Sequence, residues 1–136
     1  MQKAIYILPI LPLLFTACGE APEKTTTEEE TLTEYKAYGT EPGWSVEIKD
    51  DIIAYSSMEA TNDFSLPVQR SKKTTTGWEI KGFSDQHNIT ITVTSGKKCN
   101  DGMSDREYAD TVKISVSEAG HREGCGGDIL SDPEAT

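Results

Sequence analysis

The stretch Cys99-Asn100-Asp101-Gly102-Met103-Ser104-Asp105-Arg106-Glu107-Tyr108 gathers the side chains of this chain best able to do chemistry. Asp101 and Asp105 are of the residue type used in pairs for general acid/base work. Ser104 between them would be a nucleophile if a base lay beside it, but no His and Asp arrangement accompanies it, and a serine without a base reacts poorly. A simpler reading covers the same residues. Asp101-Gly102 makes a tight turn, Ser104 or Asp105 caps a single helical turn, and Arg106 pairs with a nearby carboxylate. The spacing is not that of a calcium-binding EF-hand loop, and His87 and His121 stand at no metal-ligand spacing. No metal, cofactor or catalytic residue is therefore expected. Asp101, Met103, Ser104, Asp105 and Arg106 are taken as candidate binding residues, since loops held by a rigid scaffold are where recognition gathers.

The three cysteines divide into one and two. Cys18 ends the run Phe15-Thr16-Ala17-Cys18, behind Lys3 and an uncharged stretch from Ala4 to Ala17. That stretch is interrupted by Pro9 and Pro12. A spanning helix needs about 20 apolar residues, and an internal proline costs a helix roughly 3 kcal/mol. The run reads as a secretory leader over residues 1–17. A cysteine directly at the cleavage point is the lipid-attachment residue of bacterial lipoproteins, so Cys18 is expected to carry acyl chains, palmitate among them. Two or more chains give stable anchoring. The expected setting is the bacterial cell envelope, on the outer membrane in preference to the inner, facing the periplasm or the surface. In that oxidising compartment Cys99 and Cys125 remain as an even pair, expected to form a disulfide.

Residues 18–34 form an expected tether. Thr25-Thr26-Thr27-Glu28-Glu29-Glu30 offers nothing apolar to bury, so ordering it would cost entropy without return. The formal charge of −10 argues against nucleic acid, whose phosphates demand Lys and Arg. It also argues against electrostatic docking on anionic lipid.

From residue 35 to 130 the texture is that of a β domain, followed by a short tail over 131–136. Trp44-Ser45-Val46-Glu47-Ile48 alternates apolar and polar, and Ile89 to Thr94 alternates isoleucine or valine with threonine. Ile52 to Tyr55, Trp78 to Phe83 and Thr111 to Val116 add further strands, and His121 to Gly126 a short closing one. Pro67 demotes the run Phe64 to Val68 to an edge or bulged strand. No helical periodicity exceeds two turns. The fold class is all-β: a small antiparallel barrel or sandwich of about seven or eight strands with one disulfide. Trp44 and Trp78 suit core or rim positions. Trp44 is also a candidate binding residue, since turn-rich blocks at opposite ends of a barrel chain often meet.

Two blocks carry a resemblance. Gly39-Thr40-Glu41-Pro42-Gly43-Trp44, and Cys99-Asn100-Asp101-Gly102-Met103-Ser104-Asp105-Arg106 with Gly124-Cys125-Gly126, resemble an uncharacterised family of bacterial envelope lipoproteins. That family carries a GTEPFW block and a C-x-DGMSDR…GC block; Gly43 stands where it has phenylalanine. The resemblance implies an exported β-rich domain and supports pairing of Cys99 with Cys125. It brings no activity with it. The expected function is a non-enzymatic binding module for a small molecule or an envelope protein. Alternatives are a protein inhibitor of a basic cell-wall hydrolase such as lysozyme, and a hydrolase using Asp101 and Asp105.

Overall fold

The computed structural model describes Gly19 and residues 30–59 and 63–133. The leader, Cys18 and nearly all of the expected tether lie outside the described residues. The strands are β1 (Glu34–Thr40), β2 (Gly43–Lys49), β3 (Ile52–Ser57), β4 (Phe64–Pro67), β5 (Arg70–Lys73), β6 (Gly77–Phe83), β7 (Asn88–Thr94), β8 (Cys99–Asn100), β9 (Glu107–Val116) and β10 (Gly120–Ser131). Among the described residues there is no helix.

All pairings are antiparallel, and the strands form one curled sheet in the order β4-β3-β2-β1-β10-β9-β7-β6-β5, with β8 beside β9. The two edges of that order are consecutive in the chain. Only Val68 and Gln69 separate β4 from β5. The Val68 amide donates to the Asp51 carbonyl at 2.8 Å and the Gln69 amide to the Lys81 carbonyl at 2.9 Å. One bent segment thus pairs first with β3 and then with β6, which brings the edges of the sheet together. Gly82 permits the approach: a Cβ there would lie 2.9 Å from Ile53 Cδ1 and 3.1 Å from the Pro67 carbonyl oxygen. The sheet has ten strands where about seven or eight were expected; with β4 and β5 taken as one bent strand and β8 set aside, eight form the wall.

The alternation read from sequence places Val46 and Ile48 of β2, Ile53 of β3, Ile80 of β6, Ile89 and Ile91 of β7 and Ile114 of β9 inside, all fully buried. Branched side chains on a pleated wall fill such an interior. Leu32 and Trp78 pack against this core from the end of the barrel where β1 begins, and Phe64 and Ala119 from the other. The interior is a packed core, with side chains at both mouths. Asp50 and Asp51 make the two-residue β2–β3 turn with φ of 50° and 59°. Both values suit a hairpin turn whose twist matches its strands.

Several boundaries differ from the sequence reading. β1 was hidden because Glu34, Lys36 and Gly39 dilute its apolar pattern, and β5 because Arg70-Ser71-Lys72-Lys73 has no apolar residue at all. The stretch expected to be irregular from Cys99 to Asp110 contains β8 and the first turnings of β9. No helical turn forms at Ser104 or Asp105, both of which lie outside any regular element. The closing strand runs to Ser131, since β10 continues against β9 past a bulge between Gly126 and Ile129.

Candidate functional site

The candidate loop lies on the outside of the barrel. On β10, Cys125 pairs with Tyr38 on one side and with Thr111 on the other. Directly opposed residues share a face, and Tyr38 alternates with the interior Ala37, so Cys125 points outward. It is nevertheless 1% exposed, because the chain from Lys97 to Arg106 folds over it. The Cys99–Cys125 disulfide, with Cα atoms 5.4 Å apart, fastens that segment to the wall. Tyr108 is buried alongside, its ring centroid 6.2 Å from that of Tyr38. A small apolar patch therefore sits on the outer face, separate from the interior core.

Within the loop the polar side chains bond chiefly to each other. The Asp101 carboxylate accepts from the Ser104 hydroxyl at 2.5 Å, the Ser104 amide at 2.9 Å and the Met103 amide at 3.0 Å. Those bonds, led by the Ser104 hydroxyl, hold the Asp101 carboxyl below the usual carboxylate range. Asn100 accepts from the Gly102 amide at 2.7 Å and donates through Nδ2 to the Arg106 carbonyl at 3.1 Å. The Arg106 guanidinium lies 3.0 Å from the Asp132 carboxylate, the carboxylate partner expected for it. Gly102 and Asp105 take φ of 74° and 52°. The tight turn at Asp101-Gly102 and the arginine–carboxylate pair of the turn-forming reading are present, without the helical turn.

The loop meets the other sequence block through Thr40, whose hydroxyl donates to the Asp101 carbonyl at 3.2 Å. The two blocks singled out in the sequence are thus neighbours. Trp44 does not join the loop as a binding side chain. It is 5% exposed and packs over Gly39 and Gly124, where a Cβ would meet the indole at 2.0 Å and 2.7 Å. Its candidacy as a surface contact is corrected by that burial: the core reading of Trp44 is the right one. Met103, by contrast, is 76% exposed, and Asp105 is exposed.

Asp101 and Asp105 do not share a cleft. A shallow depression of about 230 Å³ beside the loop is lined by Thr40, Asn100, Asp101 and Glu123 among others, but not by Asp105. An aspartate held ionised by three donors is poorly placed to give up or take a proton near neutral pH. Among the described residues no group of three His, Cys, Asp or Glu could hold a metal ion. His87 lies far along the chain from the loop, its ring stacked on Phe64 at 4.6 Å and its Nδ1 2.9 Å from Glu118.

No protein-family model matches this chain, and neither curated proteins nor solved structures give a match.

Sequence reasoning passed over two features. One is the Tyr35 hydroxyl, which donates to Asp110 at 3.0 Å near the foot of the barrel. Burial first, then the Asp110 charge and hydrogen bond, push its ionisation far above the ordinary tyrosine value. The other is Met58, 84% exposed beside Gly43 and lining one depression with Tyr38 and Trp44. A Cβ at Gly43 would lie 2.6 Å from the Met58 sulfur. A glycine followed by a tryptophan carries no sequence signal for a distant methionine above it.

Proposed function

We propose that this chain is a lipid-anchored envelope protein whose barrel is a non-enzymatic binding module, and that it recognises a protein partner with its outer surface. The observation that carries this reading is the filled interior. Ile48, Ile53, Ile80, Ile89, Ile91 and Ile114 occupy the space in which a barrel would hold a small molecule. Recognition is left to the wall, where the fastened loop presents Met103 among Asp101 and Asp105, with Tyr38 and Met58 nearby. Exposed apolar side chains rimmed by polar ones are the mark of a protein contact surface.

Anchoring is proposed at Cys18, after removal of residues 1–17, with the Thr/Glu-rich segment linking the described barrel to the outer membrane. Mass analysis of the mature protein should find an amino terminus at Cys18 that carries acyl chains, absent from Cys18→Ala. An unmodified amino terminus would end the anchoring reading. Native mass spectrometry of the protein from its host envelope should show a co-purifying protein partner, lost on Met103→Glu. A bound small molecule in place of a protein would overturn the outer-surface reading.

The acidity of the loop favours one partner class in particular. Asp101, Asp105 and the neighbouring Glu123 suit the active site of a basic cell-wall hydrolase, and lysozyme is the convenient probe. Added protein should lower lysozyme activity in proportion to its amount, with Asp105→Lys relieving the effect about tenfold, the scale of one well-placed charge pair. Unchanged lysozyme activity at excess protein would remove this inhibitor reading. Hydrolysis by Asp101 and Asp105 is not proposed, because the Asp101 carboxylate is committed to Ser104 and Met103.

A further inference from the structure

Charge is unevenly spread around the barrel wall. The chain has 13 Lys/Arg and 23 Asp/Glu, yet residues 64–83 hold four of the basic residues, Arg70, Lys72, Lys73 and Lys81, and only one of the acidic ones, Glu79. That segment is the bent β4–β5 strand and β6. On β5, Arg70 and Lys72 flank Ser71 and are exposed. On β6, Lys81 alternates with the interior Ile80 and Gly82, so it points outward on the same face. Arg70 stands directly opposite Lys81. Glu79 stands directly opposite Lys72 on the same face, so the face carries the three cations Arg70, Lys72 and Lys81 against one anion. Glu79 pairs with Lys81 at 3.2 Å. Arg70 and Lys72 make no ion pair among the described residues. Phe83, next in the outward row after Lys81, is 55% exposed.

The place of this wall in the fold gives the patch its meaning. In the eight-strand order, β6 lies four strands from β1 in either direction, so the basic wall is diametrically opposite the face bearing Tyr38 and the fastened loop. The chain also enters the barrel beside it: Glu30 contacts Lys73 at the end of β5, and the Leu32 amide donates to Ser71.

We propose that the outer face of β5 and β6 docks on an anionic phospholipid surface, through Arg70, Lys72 and Lys81 with Phe83 entering the headgroup layer. The docking rests on the lipid-anchored reading only in that an anchor would keep the membrane within reach. The overall negative charge does not forbid it. Opposite walls of a packed barrel stand about 10 Å apart or more, and charges are screened over about 8 Å at physiological salt, so lipid beneath β5 and β6 senses chiefly the basic wall. Docked this way, the barrel turns Met103, Asp105 and Tyr38 outward from the membrane, where a protein partner could reach them.

The test is partition of the unacylated full chain, Cys18→Ala, onto vesicles of phosphatidylcholine alone or with about one third phosphatidylglycerol. The leader, with Lys3, is common to every variant, so its contribution cancels when variants are compared. Each Lys or Arg brought to an anionic surface is worth about fivefold, so three offset by Glu79 predict roughly a twenty-five-fold preference for anionic vesicles. The preference should collapse in 1 M salt, where screening acts over about 3 Å. It should also vanish in Arg70→Glu/Lys72→Glu/Lys81→Glu and persist in Lys36→Glu/Lys49→Glu/Lys113→Glu, which matches it in charge on other strands. Should the first variant fail to fold by circular dichroism, Arg70→Gln/Lys72→Gln must lower the ratio at least tenfold. Equal binding to both vesicle types, or loss of preference in both triple variants alike, overturns the proposal. Anionic preference of inorganic phosphate's kind, abolished by millimolar phosphate, would assign the wall to free phosphate and overturn the membrane reading. None of these outcomes depends on whether Cys18 is acylated, which mass analysis of the mature chain reads separately.

Discussion

The Tyr35 hydroxyl and the Asp110 carboxylate meet at 3.0 Å across 75 residues of chain, joining the first strand of the barrel to β9. Asp110 uses its second oxygen to accept from the Gly96 amide at 3.0 Å, so one carboxylate ties β1, β9 and the Ser95-Gly96 turn together. Tyr35 is buried and its ionisation is pushed up. A group whose pKa is raised on folding adds stability below its unfolded value, about 10 for tyrosine, and loses it as pH climbs toward the folded value. Denaturant unfolding of the native protein should therefore weaken above about pH 10, and Tyr35→Phe should flatten that alkaline decline. At pH 7 the same substitution leaves Asp110 short of a donor and should cost about 1–2 kcal/mol. An unchanged midpoint and an unchanged alkaline slope would show that this bond contributes nothing.

Much of the barrel was legible because its strands are half-buried and so write their faces into the sequence. Ile89, Ile91 and Val93 against Thr90, Thr92 and Thr94 is a wall seen from both sides. The pairing of Cys99 with Cys125 followed from leaving Cys18 out of the count. What stayed illegible depends on contacts between distant residues. Tyr38 and Tyr108 form an outer patch that no local pattern announces, and β5 is a strand because β6 offers it a partner, not because Arg70-Ser71-Lys72-Lys73 favours one. Asp101 shows the limit from the other side. Its residue type invited a chemical role, while its neighbours Met103 and Ser104 settled it as a turn-former.

The disulfide bears on stability and on the shape of the outer face together. Cys99 and Cys125 are 26 positions apart, a loop whose closure is worth roughly 3–4 kcal/mol on the chain-entropy model. Reduction, or Cys99→Ala with Cys125→Ala, should lower Tm by about 10–20 °C in a domain of this size. The interior core would remain, since Cys125 and Tyr108 stand apart from it. Calorimetry should thus show a lower but still cooperative transition. Loss of all cooperative unfolding would mean that the outer patch is part of the main core.

Gly39 and Trp44 should prove a matched pair. The indole lies where a side chain on residue 39 would project, with its Nε1 2.0 Å from an ideal Cβ. Gly39→Val must push the ring from its seat or distort β1. A cost of about 2–4 kcal/mol is expected from overpacking of this kind, with a red-shifted tryptophan emission as Trp44 meets water. Trp78 supplies a constant background, so Trp78→Phe should be used as the parent for the measurement. Blue emission retained in Gly39→Val would place Trp44 elsewhere.

The Asp101 turn should loosen in acid. Its carboxyl is held below the ordinary value, chiefly by the Ser104 hydroxyl and then by the Ser104 and Met103 amides. A depressed pKa contributes stability above the unfolded value, near 3.9 for aspartate, and gives it up as pH falls through the folded value. The amide signals of Met103 and Ser104 should consequently shift together below about pH 4, and Asp101→Asn should show the shifted positions already at neutral pH. The barrel itself should be little affected, because the loop is solvent-accessible and screened. If lysozyme or another partner binds through this loop, affinity should fall over the same acid range and be weakened in Asp101→Asn at pH 7 without loss of the folded barrel. A partner indifferent to both changes would have to sit elsewhere on the wall, and the loop would then be a structural turn alone.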